Sequence, residues 1–154
     1  MPLTYRIDPA RELVTITGDY AEPAEWRVLL SAVAADSAYR RGFSFIRDLR
    51  ASEHPVSAQT VIGIIAVVRQ FWVQLGARRA AVVTGPGIDL PAMMAQALAD
   101  DAHIPLRAFS SWEDAVSWLR EGQTTSGEQA RQEAPTIDHA PVPPLTTPDD
   151  TEGG

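Results

Sequence analysis

"LTYRIDPARELVTITG", residues 3–18, decides the fold. Leu3, Tyr5 and Ile7 alternate onto one face of an extended run, and Val14 and Ile16 do the same in the next. Asp8, Pro9, Ala10 and Arg11 supply turn chemistry between the two, so the pair reads as a β-hairpin. Beyond it, strand and helix patterns alternate. Pro23 suits the first turn of a helix. Trp26, Leu29, Leu30 and Val33 follow at i, i+3, i+4 and i+7, with Gly42 as the expected stop. FSFIRD, residues 43–48, is a third strand, and Ser57 opens a helix that runs to about Gly76. AAVVT, residues 80–84, is wholly apolar, as a strand covered on both faces is. A helix over about residues 89–102 precedes a last strand, IPLRAF, residues 104–109. Ser110 and Glu113 then have capping-box spacing for a final helix through Ala115, Val116 and Leu119. The order is β-β-α-β-α-β-α-β-α. Such a chain is an α/β protein with a mixed sheet, a leading hairpin and later strands in parallel.

Composition narrows the chemistry. The chain has 154 residues, 45% of them hydrophobic, enough for one domain with a true core. Residues 1–121 are read as that domain. Residues 122–154 are read as a disordered acidic tail, rich in Pro, Ser and Thr, with six acidic residues against one arginine. There is no cysteine, which excludes disulfides and thiolate chemistry. His54, His103 and His139 never fall at i, i+4, so no metal site is expected. The net charge is −7, concentrated in the tail, and no nucleic-acid partner is expected from charge. All 13 basic residues are arginine, so no lysine can form a Schiff base or clamp a phosphate. The N-terminal MPLTYRID lacks the basic and apolar regions of a signal peptide. The apolar stretch Val61–Leu75 falls short of a span of ~20 residues and carries Arg69, Gln70 and Gln74, so no transmembrane segment is expected. A cytoplasmic location follows as an expectation.

Several strings together carry a resemblance: "YRIDPARELVTITG", "FIRDLR", "TVIGIIAVVRQFWVQLG", "RAAVVTG" and "LRAFSSWEDAVSWLRE". Residues 1–121 resemble the STAS-like fold of anti-sigma-factor antagonists and, more closely, the SpoIIAA-like group labelled STAS/SEC14-domain proteins. None of these strings is a catalytic signature, so the resemblance implies a fold before it implies a function. Phosphorylated STAS domains carry an acceptor Ser or Thr at the start of the helix after the third strand, downstream of an Asp-Leu pair. Asp48-Leu49 matches the pair and Ser57 lies nearest the acceptor position. Val56 precedes Ser57 and Ala58-Gln59 follows it, however, without an Asp-Ser-Ser-Gly run. Ser57 is therefore read chiefly as an N-cap.

Other constellations are weaker. Asp48, His54 and Ser57 have the residue types of a hydrolase triad, but no Gly-x-Ser-x-Gly elbow is present. Gly85-Pro86-Gly87 follows a strand and precedes a helix, yet it lacks the further glycine or lysine of a phosphate loop, and Asp89 puts negative charge at the helix start. Asp100 and Asp101 are adjacent at a helix end and point apart.

The resulting expectation is a non-enzymatic interaction or regulatory module without a cofactor. Its candidate interaction loop comprises Asp48, Arg50, Ser57, Gly85, Gly87 and Ser110. In an open α/β sheet, ligands gather outside the carboxyl ends of the parallel strands, which here are residues 48–50, 84–87 and 109–111. On the long helix, Val61, Ile64, Ile65, Val68, Phe71, Trp72 and Leu75 form the sheet-facing stripe. Ile62, Ala66 and Val73 form a candidate exposed apolar flank, with Val67 on the opposite side. A protein partner is expected, and a homodimer is among those the reading admits. The alternative is a module for a lipid or small apolar ligand. A cavity lined by the long helix would favour it, whereas a solid core beside an exposed apolar patch would favour the partner.

Overall fold

Tyr5 stands opposite Ile16 and Ile7 opposite Val14 where β1 (Thr4–Asp8) and β2 (Leu13–Thr17) pair antiparallel. The computed structural model describes residues 2–19, 21–52, 56–87 and 89–121. The tail expected over residues 122–154 lies outside the described residues. After the hairpin come α1 (Pro23–Ala35), β3 (Ser44–Asp48), α2 (Ala58–Leu75), β4 (Ala80–Val83), α3 (Leu90–Asp101) and β5 (Leu106–Phe109). A last helix, α4, covers residues 112–121. The element order is the one the sequence pattern predicts.

The five strands lie in the order β1-β2-β3-β4-β5, and every pair from β2 to β5 is parallel. Right-handed crossovers that all advance in one direction deliver their helices to one face. Accordingly, Trp26, Leu29 and Leu30 of α1, the apolar stripe of α2, and Ala92 and Ala99 of α3 form one core with Val14, Ile16, Phe45, Val82 and Leu106. The other face is covered from α4, whose Ala115 and Leu119 pack on Ile46, Ala81 and Val83.

Helix α2 lies in the middle of the three-helix layer. Ser57 caps its start, the hydroxyl accepting from Thr60 N–H at 3.1 Å, and Gly76 ends it in the left-handed region at φ 60°. The expected flank of Ile62, Ala66 and Val73 is exposed. Val67 is not: it is only 3% exposed, although the wheel put it opposite the sheet stripe. The cause is α1. Gly63 abuts Pro23, and the exposed Gln70 Oε1 accepts from Arg27 Nη1 at 2.7 Å, so α1 packs along the side of α2 that holds Gly63 and Val67. At 18 residues and mean hydropathy 1.3, α2 has a length and composition that a membrane span also has. Its buried stripe, Val61, Ile64, Ile65, Phe71 and Leu75, packs into the core beneath it.

Two helix boundaries differ from expectation. Helix α1 ends at Ala35 with Asp36 as its C-cap, well before Gly42. Asp36 Oδ1 accepts from Ala38 N–H at 2.9 Å and Oδ2 accepts from Tyr5 Oη at 2.9 Å, which turns the chain away and ties it to β1. Gly42 instead adopts φ 96° just before β3 and donates its N–H to Gly76 O at 2.8 Å. The final helix is capped by Ser111 rather than Ser110, the Ser111 hydroxyl accepting from Asp114 N–H at 3.3 Å. Adjacent serines gave the sequence two candidate caps; the end of β5 at Phe109 leaves the second in position.

The contact at Gly63 generates a prediction whose sign propensity alone gets wrong. Ala is favoured over Gly within a helix by about 1 kcal/mol. A Cβ at Gly63 would lie 2.6 Å from Pro23 Cγ, and the proline ring cannot swing aside. Overpacking of this kind costs about 1–3 kcal/mol. Gly63→Ala is expected to lower the urea midpoint, and a raised midpoint would show that α1 and α2 separate freely.

Candidate functional site

The register brings the strand ends to one rim: Asp48 stands beside Val83, and Val83 beside Phe109. Leu49 N–H donates to Val83 O at 2.8 Å and Thr84 N–H to Phe109 O at 2.9 Å, so the ladders continue into the loops. The rim therefore carries Asp48 and Arg50, Gly85 and Gly87, and Ser110. Gly87 takes φ 102°, a conformation that suits glycine, with open space around it. Ser110 is exposed.

Asp48 and Arg50 satisfy one another. Arg50 donates Nε–H to Oδ1 and Nη2–H to Oδ2, both at 3.0 Å, and its backbone N–H to Oδ1 at 3.1 Å. These bonds hold the Asp48 carboxyl below its usual range: the Arg50 side chain contributes most, and partial burial opposes it. The guanidinium also lies 4.9 Å from the Trp112 ring centroid, a cation–π contact from α4. Glu113 adds a further favourable charge to Arg50.

Beneath the helix layer lies a partly open cavity of about 100 Å³. Its roof is α2, through Val61, Ile64, Ile65, Val68 and Trp72; its floor includes Phe45, Val82 and Leu106; Ala92 and Ala95 of α3 close one side. Of the residues in the three strand-end loops, Leu49 lines it. Small side chains explain it: Ala80, Ala92 and Ala95 sit where larger ones would fill the space between α2, α3 and the sheet. The walls are almost wholly apolar, and Arg47 and Trp26 are among the lining residues. Arg47 is 7% exposed, donates to Ile16 O at 3.4 Å and Asp19 O at 2.9 Å, and lies 5.4 Å from the Trp26 ring centroid.

No protein-family model matches the sequence, and no curated protein matches it. A solved structure does: an uncharacterized protein of the DUF3478 family with a SpoIIAA-like fold, from Shewanella loihica PV-4. The two superpose with a TM-score of 0.52 over 76% of this chain and 91% of that one, at 10% sequence identity. The fold is SpoIIAA-like. At that identity the likeness is one of fold alone.

Within the SpoIIAA-like frame the sequence candidates separate. Ser57 lies at the start of α2, as the resemblance implies for an acceptor, and its hydroxyl is engaged with Thr60 N–H and with Thr60 Oγ1 at 3.0 Å. Asp48 is engaged by Arg50, and His54, the third residue type of the triad reading, lies outside the described residues. Asp89 caps α3, its Oδ1 accepting from Ala92 N–H at 2.9 Å, where a phosphate loop would need a vacant helix start. Sequence reasoning missed Arg47, Trp26 and Trp112 as site residues. For Arg47 the signal was present: Phe43, Phe45, Arg47 and Leu49 share one face by period two.

Ser57→Ala is expected to cost about 1 kcal/mol in a urea melt and Ser57→Asp to be near neutral, since aspartate caps equally well. A fully stable Ser57→Ala would remove the capping role. Asp48→Asn is expected to cost about 1 kcal/mol at neutral pH, a modest figure because Arg50 is half exposed. With a lowered native pKa, that stabilisation is complete above the unfolded value of about 3.9 and is lost as pH falls through the native one. Melts of wild type and Asp48→Asn should therefore converge in acid; a gap that persists there would mean the charge is not the cause.

Proposed function

We propose that this SpoIIAA-like chain is a non-enzymatic binding module that holds a small apolar ligand beneath α2. The observation that carries this reading is the apolar cavity. Protein interiors leave few voids larger than a water molecule, and an engineered apolar cavity of about 150 Å³ takes up benzene. A space of about 100 Å³ with a branched aliphatic roof has the same chemistry at a smaller size. Of the two alternatives posed by the sequence, a cavity lined by the long helix supports the ligand. A lipid chain would need further opening between α2 and α3.

A second reading, docking of a protein partner, is favoured by the exposed face of α2. Ile62 is 44% and Val73 78% exposed, and Ala66 and Arg69 share that face. Loss of a complex on Val73→Asp, with the fold intact by circular dichroism, would support this role.

The ligand reading is tested by filling the space. Ala95→Leu is expected to weaken binding of 1-hexanol or benzene at least about tenfold, as followed by chemical-shift titration, while leaving thermal stability equal or higher. Undiminished binding in that variant, or no binding by the wild type, would refute the cavity as the site.

A further inference from the structure

We propose that a cleft at the end of the sheet opposite the rim, between the β1–β2 turn and the start of β4, binds a small phosphate monoester. The cleft has a volume of about 430 Å³, and Arg40, Arg41 and Arg78 line it with Glu12, beside Pro9 and Phe43. It shares no lining residue with the cavity beneath α2, so the two sites are separate. Three guanidinium groups against one carboxylate leave two positive charges uncompensated, in a chain whose net charge is −7. Like charges gathered in a concave place repel one another and raise the local concentration of anions. Backbone bonds hold them there. Gly42 N–H donates to Gly76 O at 2.8 Å and Arg78 N–H to Phe43 O at 3.1 Å, which ties the two arginine-bearing segments together.

The donors of these arginines are only partly spent. Arg40 gives Nη1–H to Ser37 O and Tyr39 O, and Arg41 gives Nη1–H to Val73 O and Gln74 O. Arg78 Nη1 lies 3.6 Å from Glu12 Oε1, too far for a hydrogen bond. In all three the polar contacts fall on Nη1, and the other guanidinium N–H groups remain for a ligand. Arg40 and Arg41 are exposed and the Arg78 side chain is 24% exposed, so solvent reaches them. A phosphate monoester carries a charge of about −1.5 to −2 at neutral pH and three acceptor oxygens, which matches two uncompensated charges and donors from three side chains. A single carboxylate is satisfied by one guanidinium fork, and a neutral ligand leaves the charges unanswered. Pro9, Ala38 and Phe43 supply carbon beside the arginines for the body of an ester.

The test uses the full chain at pH 7 and constant ionic strength, with isothermal calorimetry of phenyl phosphate, inorganic phosphate and succinate, a dicarboxylate. The wild type is expected to bind phenyl phosphate at least about tenfold more tightly than succinate and about threefold more tightly than inorganic phosphate, with affinity falling as salt is added. Arg78→Gln should weaken phenyl phosphate binding at least about tenfold. Glu12→Gln, which removes the opposing carboxylate, should tighten it about threefold. Arg40→Gln, at an exposed position, decides the matter if Arg78→Gln fails to fold. Equal affinity for succinate would overturn the phosphate assignment, and equal affinity for inorganic phosphate would overturn the ester. No binding by the wild type, or undiminished binding in the folded arginine variants, would overturn the site altogether. The apolar cavity, which none of these substitutions touches, is judged by its own test.

Discussion

Three successive crossovers advance the chain across the sheet in one direction, and most other features depend on that constraint. Because α1, α2 and α3 fall on one face, that face acquires a thick core and α2 is enclosed on both sides by its neighbours. The opposite face is left to α4, over β3 and β4. Beside it, β1 and β2 turn Thr4, Arg6, Thr15 and Thr17 away from the core, and Thr4 and Thr17 hydrogen-bond through their hydroxyls at 3.0 Å. The hairpin thus has the one-sided polarity of an antiparallel edge. β4, covered on both faces, is apolar throughout.

The enclosed position of α2 also accounts for the cavity. A helix seated between two others and a sheet cannot slide to close a gap without disturbing both neighbours. On one side Gly63 already brings α2 against Pro23. On the other, the alanines of α3 leave the space that a bulkier helix would fill. Arg47 is placed there by the pleat of β3, and its contacts with the backbone of residues 16 and 19 join the β2 end of the sheet to the same volume. Structure and candidate function share one layer of side chains.

The rim follows a different logic. Asp48 and Arg50 neutralise one another in the loop after β3, and Trp112 brings α4 against the guanidinium. Paired in this way, the two charges order the loop more than they advertise a vacant site. The polar residues most conspicuous in the sequence are the ones most fully engaged locally. The cavity was inconspicuous because its walls consist of ordinary core residues.

Local chemistry made much of the fold legible in the sequence. The alternation of Tyr5, Ile7, Val14 and Ile16, the caps at Ser57, Asp89 and Gly76, and the apolar run at Ala80–Val83 each depend on neighbours within a few residues, so the element order could be read directly. The bidentate Asp48–Arg50 pair was within reach for the same reason, its members being two residues apart. Burial of Val67 was not, because it depends on α1, some forty residues earlier in the chain. The cavity was beyond reach as well: β2, α1, β3, α2 and α3 all contribute, and a void is a property of their mutual distances. Sequence determined each element and its inward face; the tertiary structure alone decided how closely those faces meet, because the fit of side chains from distant segments is set only when they pack.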